Sequence, residues 1–309
     1  MSRQRVTEES KRFYERYPFP GSRPIDQDGL ILLRRITRSM TLRLRGRRGA
    51  VLRVLDAGCG TGNTSVALAR QFPLMDILGI DQSVASLEKA RAVADTLGLE
   101  NIRFRSWDLM KPLTGERSFD LILCLGVLHH VADMKEVLAN LRRALRSDGE
   151  LYLWIYGRHG RYRHSLNMRL LALLQTTSPP CLDPVDLARE LLRYSAENGV
   201  MTDLLGNIQT GALQERSFDD PVWVADQWLN PRETLVDMTQ LLRLATRSGL
   251  SIDEVVGMNE NAAKRLLPPL LEARFRQLGR RRQLIALDLI MKPERYFAIL
   301  RRNRPTRES

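Results

Sequence analysis

The chain has 309 residues, 43% of them hydrophobic and 27% charged, with a net charge of +12 and a pI near 10.2. That balance predicts a folded core, in one large α/β domain with an insertion or in two small domains, and excludes a disordered chain. No apolar run is long enough for a membrane-spanning helix, and the opening MSRQRVTEESKRFYERYPFPG has no apolar stretch of signal-peptide type, so an intracellular, cytoplasmic protein is expected.

In chain order, RFYERYPFPG (12–21) comes first: its aromatic residues and prolines predict a stiff, adhesive turn. An arginine-rich segment follows. Arg34, Arg35, Arg38, Arg43, Arg45, Arg47, Arg48 and Arg53 fall between Asp28 and Asp56 with no acidic residue among them. From residue 50, strands and helices alternate. VLRVLD (51–56), MDILGID (75–81), IRFRSWD (102–108), FDLILCLGVL (119–128) and ELYLWIY (150–156) read as strands. SVASLEKARAVADTLG reads as a helix closed by Gly98, and DMKEVLANLRRALRSDG as one ended by Gly149. This rhythm implies right-handed crossovers and a parallel sheet covered on both faces.

The rhythm breaks after Gly157. Residues 158 to 230 read as helices and loops, interrupted by SPPCLDP, and Trp223, Trp228 and Tyr194 there read as core residues or pocket lining. A helix with Asn230 as N-cap, Pro231 in its first turn and Gly249 as its stop is expected next. SIDEVVGM then reads as a strand, followed by a helical stretch broken at LPP (267–269) and a last strand, RYFAIL (295–300). A second basic cluster holds Arg274, Arg276 and Arg280 to Arg282, and the C-terminal tail is also arginine-rich. The basic segments read either as solvated helix faces or as contacts for nucleic acid, anionic lipid or an acidic partner. Cys59, Cys124 and Cys181 form no C-x-x-C pair, so reduced thiols are expected, and neither a disulfide frame nor a metal site.

The most informative stretch is LDAGCGTGN (55–63). Its glycines, Gly58, Gly60 and Gly62, follow G-x-G-x-G spacing, not the G-x-G-x-x-G of the dinucleotide fingerprint. A pyrophosphate on that turn would be opposed by Asp56, which would favour a cationic ligand instead. S-adenosylmethionine has no phosphate and carries an ammonium and a sulfonium. Asp81 ends the next strand, where a carboxylate can accept both hydroxyls of a ribose. Asp108, after the third strand, is placed to accept from an adenine amino group, with Trp107 beside it to cover the ring.

VLDAGCGTG, LGIDQS, RSWDL, FDLILCLGVLHHV and LRSDGELYLWIY, in that order, resemble the class I S-adenosylmethionine-dependent methyltransferases. The resemblance implies a Rossmann-like, doubly wound, mostly parallel seven-stranded sheet with helices on both faces, plus a helical insertion and an N-terminal arm. It divides the chain into an arm with a basic helix (1–50), a cofactor domain (51–157 and 249–302) and a substrate cap (158–248). The cofactor implied is S-adenosyl-L-methionine. Asp56, Gly58, Cys59, Gly60 and Gly62 would meet its methionine part, Asp81 and Gln82 the ribose, Trp107 and Asp108 the adenine, with Leu125 behind the sulfonium. The arm would be either a lid in which Tyr14 or Tyr17 shields the cofactor, or a staple for the first helix.

For the methyl acceptor, the sequence holds no Asp/Asn-Pro-Pro-aromatic run, no Pro-Cys pair and no double-glutamate loop. LGVLHHV resembles members acting on small molecules, quinones, lipids and some proteins. A small or lipid-like acceptor methylated on O or N is therefore expected; RNA or an acidic protein as acceptor, or a cofactor-binding assembly module without turnover, are the alternatives. His129 and His130 are the candidate general bases, against a reading in which they cap the next helix and shape the pocket.

Overall fold

In the computed structural model, residues 2–21, 27–46, 51–113, 119–176, 183–198 and 218–303 are described. Cys181, the core of the SPPCLDP interruption, the side chains of the arginines from 43 to 48, and the tail beyond 303 lie outside them.

Seven strands form one sheet: β1 (Leu52–Ala57), β2 (Met75–Asp81), β3 (Ile102–Ser106), β4 (Phe119–Leu125), β5 (Leu145–Tyr156), β6 (Leu250–Val255) and β7 (Arg295–Arg302), in the order β3-β2-β1-β4-β5-β7-β6. The first five are parallel and β7 is antiparallel to both neighbours. The near-continuous apolar runs of β1, β2 and β4 suit strands buried on both faces. The strand order reverses between β1 and β4, and a crevice opens beyond the carboxyl ends of a parallel sheet at such a point.

Helices α3 (Asn63–Gln71), α4 (Val84–Thr96) and α5 (Met134–Ala144) make the crossovers. Each starts where the sequence supplies a turn or cap. Gly62 stands at φ +83 before α3, Ser83 accepts from Ser86 N–H, and Asp133 accepts from Glu136 N–H. Two apolar clusters cover the two faces of the sheet. One is centred on Leu55, Ile122, Leu138 and Leu153; the other, under α2 (Gln27–Gly46), on Leu32, Ile36, Leu52 and Leu123. Each fully buried Leu or Ile contributes about 1.5–3 kcal/mol.

Beyond the sheet, α1 (Arg3–Arg16) leads the chain, and α6 (Arg158–Leu174), α7 (Pro184–Asn198) and α8 (Pro221–Trp228) follow β5. Leu171, Ala188, Leu192, Val224 and Trp228 give the last three a core of their own, against which Phe13 and Tyr17 of the N-terminal segment pack. Then come α9 (Met238–Arg247), α10 (Glu260–Leu266), α11 (Pro269–Arg276) and α12 (Arg280–Met291).

Two boundaries differ from the sequence expectation. Gly149 does not end α5; the helix stops at Ala144, and Leu145 already pairs with Phe119. An irregular register between Phe119 and Leu121 absorbs the SDG segment, and Gly149 sits inside β5, where a Cβ would press on Leu145. Asn230 is not an N-cap either. The cap of α9 is Asp237, in a capping box with Gln240. Residues 230–236 instead run along the sheet ends, with Thr234 N–H donating to His129 O and Val236 bridging Gly157.

Candidate active site

The turn after β1 is built by backbone hydrogen bonding. Gly58 and Cys59 N–H both donate to Ile80 O, at 2.7 and 3.0 Å, lashing the turn to the end of β2. Gly58, Gly60 and Gly62 all have left-handed φ, at +80, +53 and +83. The space each lacks a Cβ in is taken by protein: Val127 at Gly58, the Phe19 carbonyl at Gly60, Ala90 and Phe104 at Gly62.

Two carboxylates stand at the ends of β1 and β2. Asp56 is buried and accepts from Ser65 Oγ of α3. Asp81 accepts from Gly60 N–H at 3.0 Å and from Ser83 N–H at 2.9 Å. Burial raises both pKa values, Asp56 to about 6, opposed by hydrogen bonds to the ionised forms. Neighbouring carboxylates add to the effect of burial, Asp81 on Asp56 and Glu15 on Asp81. A ligand carrying a cation is favoured beside these two carboxylates, and S-adenosylmethionine offers that charge. Burial and the same two carboxylates push the Cys59 thiol up, so it stays protonated.

Gln82 follows Asp81 into the α4 cap, half-buried, and its N–H helps hold the Asp81 carboxylate ionised. Leu125 ends β4, half-buried against the cluster that holds Leu121 and Leu123. Trp107 and Asp108 have local partners. The Trp107 indole N–H donates to Lys111 O at 3.3 Å and Arg105 lies over the ring at 4.8 Å, while Asp108 Oδ1 accepts from Met110 N–H.

The N-terminal arm lies on this turn. Thr61 N–H donates to Phe19 O at 3.1 Å and Thr61 Oγ1 to Gly21 O at 3.0 Å. Glu15 accepts from Val84 and Ala85 N–H, capping α4 from outside, and Ser83 Oγ donates to Tyr14 O. Tyr14 OH donates to Asp226 at 3.0 Å and accepts from Asn230 Nδ2 at 2.9 Å. Tyr17 faces the α6–α8 core instead, beside Phe13.

Beyond β4 and β5 the side chains form a polar and aromatic cluster. His129 is 1% exposed, its ring 4.0 Å from His130, 4.2 Å from Tyr156 and 6.0 Å from Trp154 between centroids. His129 Nδ1 and Trp154 Nε1 are buried without a hydrogen-bond partner. His130 Nδ1 lies 2.6 Å from Arg232 O, which makes it the donor and leaves Nε2 as the basic nitrogen. Burial lowers both pKa values, that of His130 to about 4, so both rings are neutral at pH 7. Neither histidine caps α5.

Arg161 of α6 is the buried cation here. It makes a two-point pair with Glu233, at 2.6 and 2.8 Å, stands 3.6 Å from Glu294, and lies 3.5 Å over the Tyr156 ring. Tyr156 OH and Gln227 bond each other, and Asp226, raised to about 6 by burial, closes the circuit to Tyr14. Sequence reasoning missed Glu15, Phe19, Trp154, Tyr156, Arg161, Asp226, Gln227 and Glu233. Of the aromatic residues flagged in the insertion, Trp228 is core and Tyr194 is 57% exposed.

Residues 50–166 match a family model described as a methyltransferase domain. An uncharacterised protein of Synechococcus sp. is 32% identical over 203 residues, covering 64% of this chain and 47% of that protein. Trans-aconitate 2-methyltransferase of Deinococcus radiodurans is 38% identical over 113 residues, covering 37% of this chain and 41% of its own. The chain thus spans under half the length of either relative. PKMT2 of Rickettsia typhi, solved in complex with AdoHcy, superposes with a TM-score of 0.65 at 19% identity, over 82% of this chain and 49% of that one, and speaks for the fold alone. Residues 50–166, which include the glycine turn and the acidic ends of β1 and β2, thus form a methyltransferase domain of the class I S-adenosylmethionine-dependent type.

Proposed function

We propose that the protein transfers a methyl group from S-adenosylmethionine to an uncharged oxygen or nitrogen of a small or lipid-like acceptor. The observation that carries this reading is the pair of strand-end carboxylates, Asp56 buried and Asp81 half-buried, each held by hydrogen bonds. When bound, the cofactor supplies a methyl group on a sulfonium, activated for in-line displacement, so the protein's task is chiefly alignment and exclusion of water. Asp56 and the 58–62 turn hold the methionine part and Asp81 with Gln82 the ribose; Trp107, Asp108 and Leu125 complete the cofactor side. Residues 158–248 serve as the substrate cap, and residues 1–21 as the lid, with Tyr14 its contact to that cap.

The acceptor end supports an uncharged nucleophile. A carboxylate would find Arg161 already matched by Glu233 and Glu294. A hydroxyl or amine suits His129 Nδ1 and Trp154 Nε1, one nitrogen able to take a proton and one N–H able to donate. His129, neutral at pH 7, receives the proton that the acceptor loses on methylation, and His130 positions it. Of the arginines between 34 and 53, Arg35 pairs with Glu254 at 2.5 Å and Arg53 of β1 lies 3.6 Å from Asp76.

Labelled methyl transfer from S-adenosylmethionine into fractionated extract tests the reading. The expected product is organic-soluble and stable to mild alkali; alkali-labile methyl ester would reject the uncharged acceptor. His129→Gln should lower turnover by about 10²–10⁴-fold with affinity for S-adenosylhomocysteine held within about threefold. Unchanged turnover would remove the proton-accepting role.

A further inference from the structure

One part of the surface has no role in the site. Between Lys264 and Arg282 the sequence holds seven cations, Lys264, Arg265, Arg274, Arg276, Arg280, Arg281 and Arg282, against one carboxylate, Glu272. Glu272 is bonded to Arg276 at 2.6 Å. All seven cations are exposed. In the middle of this segment, at the Pro268–Pro269 corner between α10 and α11, the chain presents leucines to solvent: Leu266 is 48% exposed, Leu270 70% and Leu271 49%.

Scattered exposed leucines are ordinary, but three around one rigid proline corner inside a cationic field are not. We propose that this corner seats the protein on an anionic lipid surface, with Leu266, Leu270 and Leu271 entering the acyl boundary and the arginines of α11 and α12 meeting headgroup phosphates. Charge complementarity selects an anion-bearing partner, and the leucines select lipid among such partners. Single-stranded RNA is read by stacking bases on exposed aromatic rings. The segment has one aromatic residue, Phe275, and it is 4% exposed in the core. Leucines and arginines are what an interfacial segment needs: apolar side chains that leave water, and cations that hold them at the headgroup layer. Each cation within reach of an anionic leaflet is worth about fivefold in partitioning. The segment does not cross the bilayer; no described helix is long and apolar enough to do so.

Co-sedimentation of the full chain with vesicles tests the proposal, comparing phosphatidylglycerol mixed with phosphatidylcholine against phosphatidylcholine alone. Binding is expected to the anionic vesicles and to fall at least tenfold on pure phosphatidylcholine. Two variants separate the two forces. Leu270→Glu with Leu271→Glu, at positions already exposed, should weaken binding at least tenfold at every salt concentration. Replacing Arg280, Arg281 and Arg282 with Gln should weaken it at least tenfold at low salt and flatten its salt dependence. Far-UV circular dichroism confirms that each variant is folded. No binding to anionic vesicles at low salt overturns the proposal. So does loss of binding in the arginine variant with none in the leucine variant, or displacement from vesicles by a mixed-sequence single-stranded RNA at equal phosphate concentration.

Discussion

The cofactor side and the acceptor side of the crevice are stabilised in opposite ways. Around Asp56 and Asp81 the charges are held by neighbours close in sequence: Ser65 nine residues away, Ser83 two, Gly60 twenty-one. Around Arg161 and Tyr14 they are held by residues 72 to 216 positions apart, from α1, α6, α8 and the 230–236 segment. The first arrangement places two carboxylates at adjacent strand ends, where a cationic ligand is favoured. The second closes its charges on one another, so it is a structural keystone before it is a binding site.

That contrast can be broken experimentally. The largest effect belongs to Arg161→Ala, which leaves Glu233 buried without its partner and should cost about 3–5 kcal/mol. It should show in the urea midpoint, with affinity for S-adenosylhomocysteine, measured without urea on the folded protein, little changed. Asp56→Asn should do the reverse. Removing one charged hydrogen-bonding partner should weaken S-adenosylmethionine binding by about 1.5–3 kcal/mol, read by titration calorimetry, with no loss of thermal stability because a buried charge is removed.

Acid tests the same side without a mutation. Burial raises Asp56 to about 6 in the free protein, and in the proposed function its ionised form binds the cation. As pH falls from 7 to 5 the ionised fraction drops about tenfold, and the dissociation constant should rise by the same factor; the Asp56→Asn protein should show a flatter profile. The sign for stability is opposite, since a carboxyl raised by folding favours the free native state as pH falls. The smallest effect is expected from Tyr14→Phe. It removes the hydroxyl bridging Asp226 and Asn230, for about 1–2 kcal/mol, and a shift confined to amide exchange in α1 and α8 would place the link between arm and cap.

The same contrast decides what could be read before the fold was known. β1, β2 and β4 were legible because strands buried on both faces must be apolar throughout, and the turn because G-x-G-x-G after such a strand leaves few alternatives. Asp56 and Asp81 follow from strand ends alone. Arg161 does not, because its importance arises from Glu233 and Tyr156, which only the folding of α6 against the sheet brings near. Asn230 misled for a related reason. Asn-Pro looks like a helix start, yet the side chain bonds Tyr14, more than two hundred residues away, while Asp237 and Gln240 carried the capping box in plain sequence. Gly149 misled because a register irregularity in β4–β5 leaves no local sign.

The Phe19 carbonyl over Gly60 bears on where this protein can be divided. A fragment starting at residue 50, where the family match begins, would lose the acceptor for Thr61 N–H and the Glu15 cap on α4. It would also lose α2, which covers one face of the sheet, and a fragment ending at 166 would lose β7 and β6, exposing the β5 edge. The segment that matches the family therefore leaves out contacts on which its glycine turn and sheet rest. Excised fragments that bind the cofactor weakly would report on these lost contacts, not on the chemistry.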